Sequence, residues 1–297
     1  IYEMLNRIEQ QEQEPMEAAA EAAYHSIQNG GLLHVFSTGH SHMIVEEMFY
    51  RSGGLVPINP ILSDELMLHT GAITSTQMER KSGKAAEVLG KASLQKGDTI
   101  IISSNTGINT VPVEAALYAK QKGLTVVCVT SKTISEQLKP RSAIGKHLCD
   151  VSDIVIDNHA PFGDGVFTVP GTNQVTGGAS TFGSLFIAQR IVLKIENLHC
   201  AGCAAELEEI LKKHEGLSGV SVDFVGQKIA FTAKDKAAVK KAIETADKFE
   251  KVHVLNAEEA LGEGRNAEDT KRNAKKSAFA ENKKQLIPIV FSAVFFL

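Results

Sequence analysis

A parallel α/β sheet covered by helices, followed by a small βαββαβ sandwich, is the fold class the sequence predicts. Three observations carry it. Through residue 190, short β-branched runs end in Ser/Thr/Gly turns and alternate with helical stretches. After residue 190 the apolar spacing changes to strand-helix-strand-strand-helix-strand within about 65 residues. At the start of that second pattern, Cys200 and Cys203 flank two small residues.

The elements follow in order. Residues 3–29 read as one or two helices broken near Pro15, with Asn29-Gly30-Gly31 as the stop. Leu32–Phe36 is a short apolar run suited to a buried strand. It leads into Ser37-Thr38-Gly39-His40-Ser41-His42 and a helix from about 43 to 52, with 55–59 the next strand. Asp98–Ser104 is rich in β-branched residues, Asn105–Asn109 is a turn, and 113–122 is a helix. Residues 125–130 and 151–157 supply two more strands. Strands alternating with helices imply an open parallel sheet of the flavodoxin-like, Rossmann type. Ligands of such sheets sit at the carboxyl ends of the strands, where both Ser/Thr/Gly turns fall.

Beyond residue 190, Leu193 and Ile195 alternate as in a strand. Leu207, Ile210 and Leu211 have helical spacing; Val220, Val222 and Phe224 alternate, as do Ile229 and Phe231. Val239, Ala242, Ile243 and Ala246 mark a second helix, and Val252 and Val254 a last strand. This is a ferredoxin-like βαββαβ domain over 191–256. Residues 257–285 are charged, with almost no large apolar side chain, and read as a linker or exposed helix. The run 286–297 is almost wholly apolar and follows Lys283 and Lys284, so it reads as a truncated transmembrane stub. A short docking tail is the alternative.

Composition narrows the classes. Apolar residues are 43%, charged residues 22% and net charge −4, ordinary for a globular protein and no invitation to nucleic acid. Four cysteines in 297 residues do not make a disulfide scaffold, so a reduced, cytoplasmic setting is expected, with membrane tethering only through the stub. The chain opens on Ile1 with an Ala-rich helix in place of a signal peptide. The absent initiator Met and the apolar run that stops after residue 297 read as a fragment or a joined reading frame.

Turns rich in glycine and hydroxyls at a strand-to-helix junction bind anions for a physical reason. The first N–H groups of a helix have no internal partner, and its dipole is positive there. Ser104, Asn105, Thr106, Gly107 and Asn109 offer one such set of donors; Ser37, Thr38, Gly39, His40 and Ser41 offer a second. Neither turn is Gly-x-Gly-x-x-Gly, and neither carries Gly-Lys-Ser/Thr. With no Arg or Lys in either turn, the expected ligand is one phosphate monoester on a small polyol. The competing reading is an ordinary turn.

Ser104, Thr106, Gly107 and Asn109 match the Ser-x-Ser/Thr-Gly-x-Ser/Thr/Asn motif of the sugar isomerase (SIS) domain family. Residues 30–36, 38–42 and 46–51 are similar to its UPF0309 subfamily, over about residues 1–190. Ser37 stands where the family's earlier turn has its first glycine, and the family's further C-terminal segment has no counterpart here. The resemblance implies phosphosugar binding without a required cofactor, homodimerisation and, in many members, aldose–ketose isomerisation. By it Glu79 is the candidate base, with His69 and His40 as assistants. Beside Arg80 and Lys81, Glu79 also reads as a solvated helix charge. His40 and His42 form a His-x-His pair, read either as metal ligands or as turn histidines bonding backbone.

Two thiols separated by two residues can converge on one soft ion, and Cu(I), Zn(II) and Cd(II) are candidates. A redox pair is the rival. With its surrounding βαββαβ pattern, Cys200-Ala201-Gly202-Cys203 resembles the loop of the heavy-metal-associated (HMA) domain, found in metal chaperones and metal-pumping ATPases. The loop falls between the domain's first strand and first helix, with His199 as a candidate third ligand and Leu198 where copper-type domains have Met. The combined expectation is a phosphosugar-binding or isomerising domain fused to a metal-binding module. The alternative is a metal-trafficking protein with a passive SIS module.

Overall fold

The computed structural model describes residues 1–223, 228–249, 252–254 and 287–295, with backbone alone for 196–201, 252–254 and 287–295. Two compact units divide the chain, Ile1–Ile195 and Glu196–Leu297.

The first unit opens with helices α1 (Tyr2–Gln11) and α2 (Gln13–Gln28). Pro15 has no N–H to return to the carbonyl of Gln11, and the helix breaks at Glu12. Five strands then form one parallel sheet: β1 (Leu33–Ser37), β2 (Ile58–Ile61), β3 (Thr99–Ser103), β4 (Thr125–Thr130) and β5 (Ile154–Asp157). Their order is β2-β1-β3-β4-β5. Every residue of β1 and β3 is buried, as expected of a sheet covered on both faces. Register aligns Ser37 with Ser103, so the turns after β1 and β3 leave the sheet side by side. Chain order reverses between these two strands, where such sheets open a ligand crevice.

The connecting helices are α3 (Met43–Met48), α4 (Ala72–Met78), α5 (Lys84–Leu89), α6 (Thr110–Gln121), α7 (Lys132–Gln137) and α8 (Leu148–Val151). The helix after the first turn is shorter than expected, and β2 begins at Ile58, three residues beyond the expected start at 55. A hairpin, β6 (Gly165–Thr168) with β7 (Val175–Gly178), forms a separate two-stranded sheet. Asp164 then caps the next helix: Oδ1 accepts from Ala179 N and Ser180 N at 3.1 and 2.7 Å.

That helix, α9 (Ser180–Lys212), overturns one expectation. The strand expected at 193–195 and the loop expected at 200–203 are both helical. The physical reason is a second periodicity in the same residues. Ile187, Ala188, Ile191 and Ile195 form a stripe at helical spacing, each no more than 2% exposed, in the first unit's core. The alternation of Leu193 and Ile195 is incidental to it, and Leu193 is exposed.

In the second unit, the C-terminal half of α9 is joined by β8 (Leu217–Asp223), β9 (Lys228–Ala233), α10 (Lys236–Lys248), β10 (Val252–Val254) and β11 (Ile287–Phe295). Its core is Ala204, Leu207 and Leu211 of α9 with Val220, Ile229, Phe231, Val239 and Ala242. The sheet order is β10-β11-β9-β8, all antiparallel. The 286–297 run was expected as a membrane stub; instead β11 pairs with β9 and β10. It is the fourth strand of the sheet, in place of the missing strand at 193–195. Among the described residues no helix is long and apolar enough to cross a membrane. Residues 255–286, which include the whole of the expected linker, lie outside the described residues.

Candidate functional site

The turn after β3 is held from behind. Ser131 N donates to the Asn105 carbonyl at 2.9 Å, Leu148 N to that of Gly107 at 2.8 Å, and Arg141 N to that of Ile108 at 2.8 Å. A trans peptide sends its C=O and the following N–H in opposite directions. The N–H groups of Thr106, Ile108 and Asn109 therefore point away from those three partners, on the side of the turn opposite them. Gly107 has φ +64°, and a Cβ there would lie 2.9 Å from Thr130 Oγ1, so no other residue fits without displacement. Ser104 Oγ accepts from Gly107 N at 3.3 Å. Asn109 precedes α6 in extended conformation, so the turn runs directly into that helix's N-terminus.

The turn after β1 stands beside it: Ser37 Oγ donates to the Ser103 carbonyl at 2.6 Å. Gly39 has φ +58° and lies against Glu79. His42 is buried and bonds the Gly39 carbonyl through Nδ1, the backbone-bonding role of a turn histidine. His40 and Ser41 line a small cleft with Ser180, Thr181 and Ser184 of α9.

Glu79 joins the two turns. Thr38 Oγ1 donates to its Oε2 at 3.0 Å, and Asn109 Nδ2 donates to its Oε1 at 2.6 Å. The Glu79 carbonyl also accepts from Val111 N at 3.0 Å. Arg141 Nη1 donates to Asn109 Oδ1 at 2.8 Å, placing a guanidinium behind the amide. Burial holds the Glu79 carboxyl above its ordinary range, against the Thr38 hydroxyl and the charges of Arg80 and Arg141. The solvated-charge reading of Glu79 therefore fails, although Arg80 and Lys81 beside it are exposed. His69 is exposed, and no hydrogen bond among the described residues ties it to Glu79 or to either turn.

Sequence reasoning does not single out Arg141 or Asn158. Asn158 directly follows a strand end. Arg141 has no such signal, because it reaches the rim from 32 residues beyond Asn109. Asn158 is fully buried and donates to Asn105 Oδ1 at 3.1 Å and Ser184 Oγ at 3.4 Å.

The thiol pair falls on a helix. Residues three apart share a helical face, so positions 200 and 203 remain neighbours. Cys203 is half-buried; the side chains of His199 and Cys200 lie outside the described residues.

The family model for the SIS domain matches residues 1–131, and that for the heavy-metal-associated domain matches residues 192–251. A UPF0309 protein of Halalkalibacterium halodurans is 46% identical over 168 residues, covering 57% of this chain and 67% of its own length. One from Geobacillus thermodenitrificans is 38% identical over 202 residues, covering 66% and 81%. Among solved structures, a phosphoheptose isomerase from Francisella tularensis aligns with TM-score 0.44 at 14% identity over 66% of this chain and 92% of its own.

Proposed function

The chain belongs to the UPF0309 family, and we propose that its first unit binds a sugar phosphate and moves a proton on it as an aldose–ketose isomerase. The observation that carries this is Glu79, a carboxyl gripped by Thr38 of one turn and Asn109 of the other. The phosphate would sit on the N–H groups of the 104–109 turn, with the Ser104 and Thr106 hydroxyls and the start of α6 adding donors. The sugar carbons would then lie towards Glu79. Isomerisation transfers a proton between C1 and C2, and a carboxyl raised by burial is a better acceptor near neutral pH than an exposed one. Arg141 can spend its remaining N–H groups on the phosphate, supplying the cation both turns lack.

For the second unit we propose soft-metal binding by Cys200 and Cys203, supported by the heavy-metal-associated family match and the shared helical face. Cu(I), Zn(II) and Cd(II) suit thiolates, and His199 is a candidate third ligand. The hairpin exposes Val166, Phe167 and Val175, apolar surface that a second copy would cover in a homodimer; sedimentation at rising concentration tests this.

The functional test is a thermal-shift screen with sugar phosphates and their unphosphorylated parents. A ligand at 100 times its Kd adds about 2.7 kcal/mol. Stabilisation by the phosphorylated sugars alone is expected. Isomerisation of a stabilising sugar phosphate should then be lost in Glu79→Gln while binding survives. No stabilisation of the folded chain would leave a passive module.

A further inference from the structure

At the far edge of the parallel sheet, the turn after β5 meets the break between α1 and α2. Met4, Ile8, Glu12 and Met16 recur at intervals of four, and all are buried. A carboxylate thus occupies a core position on an otherwise apolar stripe, where glutamate is rarely found without a charged or metal partner. Opposite it stand Asp157, the last residue of β5, and His159.

The three side chains converge. Glu12 Oε1 is 3.0 Å from His159 Nε2, and His159 Nδ1 is 3.8 Å from Asp157 Oδ2. One ligand atom from each residue lies within 4.8 Å of the others. Glu12 is 6% exposed and Asp157 7%. Their other oxygens are satisfied by backbone: Asp157 N donates to Glu12 Oε2 at 3.1 Å, and His159 N and Lys132 N donate to Asp157 Oδ1 at 2.9 and 3.2 Å. Among the described residues no Lys or Arg side chain bonds either carboxylate, and Asp157 Oδ2 accepts no hydrogen bond. Two buried carboxylates therefore face one imidazole, which carries at most one positive charge. Buried negative charge in excess of its partner is stabilised by a bound cation.

We propose that Glu12, Asp157 and His159 form a binding site for a divalent metal ion. Two carboxylate oxygens and one imidazole nitrogen suit Zn²⁺ or Mn²⁺, leaving open positions for water, and do not suit Cu(I). The site is separate from the thiol pair and stands without the sugar-phosphate reading. Asn158, between two of the ligands, bonds Asn105 of the candidate phosphate turn. An ion held by Asp157 and His159 would fix that contact in place.

The test uses the full chain carrying Cys200→Ser and Cys203→Ser, which removes the thiol ligands. Equilibrium dialysis against ZnCl₂ or MnCl₂, followed by metal analysis, should find one equivalent bound. Glu12→Gln and His159→Gln in that background should each weaken binding about tenfold or more, the loss of one ligand group. Should those variants fail to fold, Mn²⁺ added to the thiol-free parent should broaden the NMR signals of the His159 ring. No bound equivalent, undiminished binding by a folded Glu12→Gln chain, or broadening that spares His159 would each overturn the proposal.

Discussion

Replacing Asn109 by Ala tests the link between the two turns. The substitution removes the amide that donates to Glu79 Oε1 at 2.6 Å and accepts from Arg141 at 2.8 Å. A hydrogen bond to an ionised group contributes about 1.5–3 kcal/mol, and the half-buried carboxyl argues for the lower end. The loss should depend on pH, with a definite sign. Glu79 is raised by burial in the folded chain, so the native state holds its proton to higher pH than the unfolded state. Its contribution to stability therefore falls as pH rises from the ordinary carboxylate range through the folded-state value. Without the Asn109 donor the ionised form is less favoured still, and that fall is steeper. At about pH 3 and below Glu79 is protonated in both states, and variant and parent should differ little through this group. Above the folded-state titration the gap should open to about 1.5 kcal/mol. Hydrogen exchange of β3 and α6 peptides reads the opening free energy of this unit alone. An equal deficit at low and neutral pH would refute the reasoning, leaving Asn109 a packing residue.

Gly107→Ala places a Cβ 2.9 Å from Thr130 Oγ1 at a φ of +64°; the first unit should lose about 2–4 kcal/mol in a thermal melt, and phosphate affinity with it. Asp98 is buried and bonded by the His34 ring at 2.8 Å and by Gln95 N and Leu32 N at 2.9 and 3.3 Å. Burial pushes its carboxyl up, but these donors together outweigh burial and hold it below its ordinary range. Asp98→Ala should cost about 3 kcal/mol at neutral pH. Because the folded value is depressed, that stability is present above the unfolded value and disappears as pH falls through the folded one, which unfolding at stepped pH would show. Cys200→Ser with Cys203→Ser should abolish soft-metal binding, read by competition with a chromophoric chelator, and leave any sugar-phosphate thermal shift unchanged. Ser104→Ala with Thr106→Ala should do the reverse, weakening phosphosugar binding by about 1–3 kcal/mol in calorimetry.

Local pattern was enough for the elements whose formation is local. Buried parallel strands such as 99–103 and 125–130 announce themselves as β-branched runs, and Gly107 and Gly39 mark turns that need positive φ. The candidate phosphate turn was legible because its donors are contiguous in sequence. Residues whose meaning depends on what they face were not. Glu79, beside Arg80 and Lys81, was marked only through the family resemblance; by its own neighbours it looks like a surface charge until the fold presses it between Thr38 and Asn109. Arg141, and Glu12 with Asp157 and His159, are separated by 32 to 147 positions from the groups they meet, and no spacing rule spans such distances. Ile195 belongs to two patterns at once, the alternation with Leu193 and the helical stripe, and burial against the first unit's core decides for the stripe. The run at 287–295 is apolar in either a membrane or a sheet, and only the open backbone of β9 and β10 distinguishes them. Sequence alone determined where chain-local propensity and turn chemistry act; tertiary structure decided every contact between distant residues, because burial and charge pairing are properties of the folded neighbourhood.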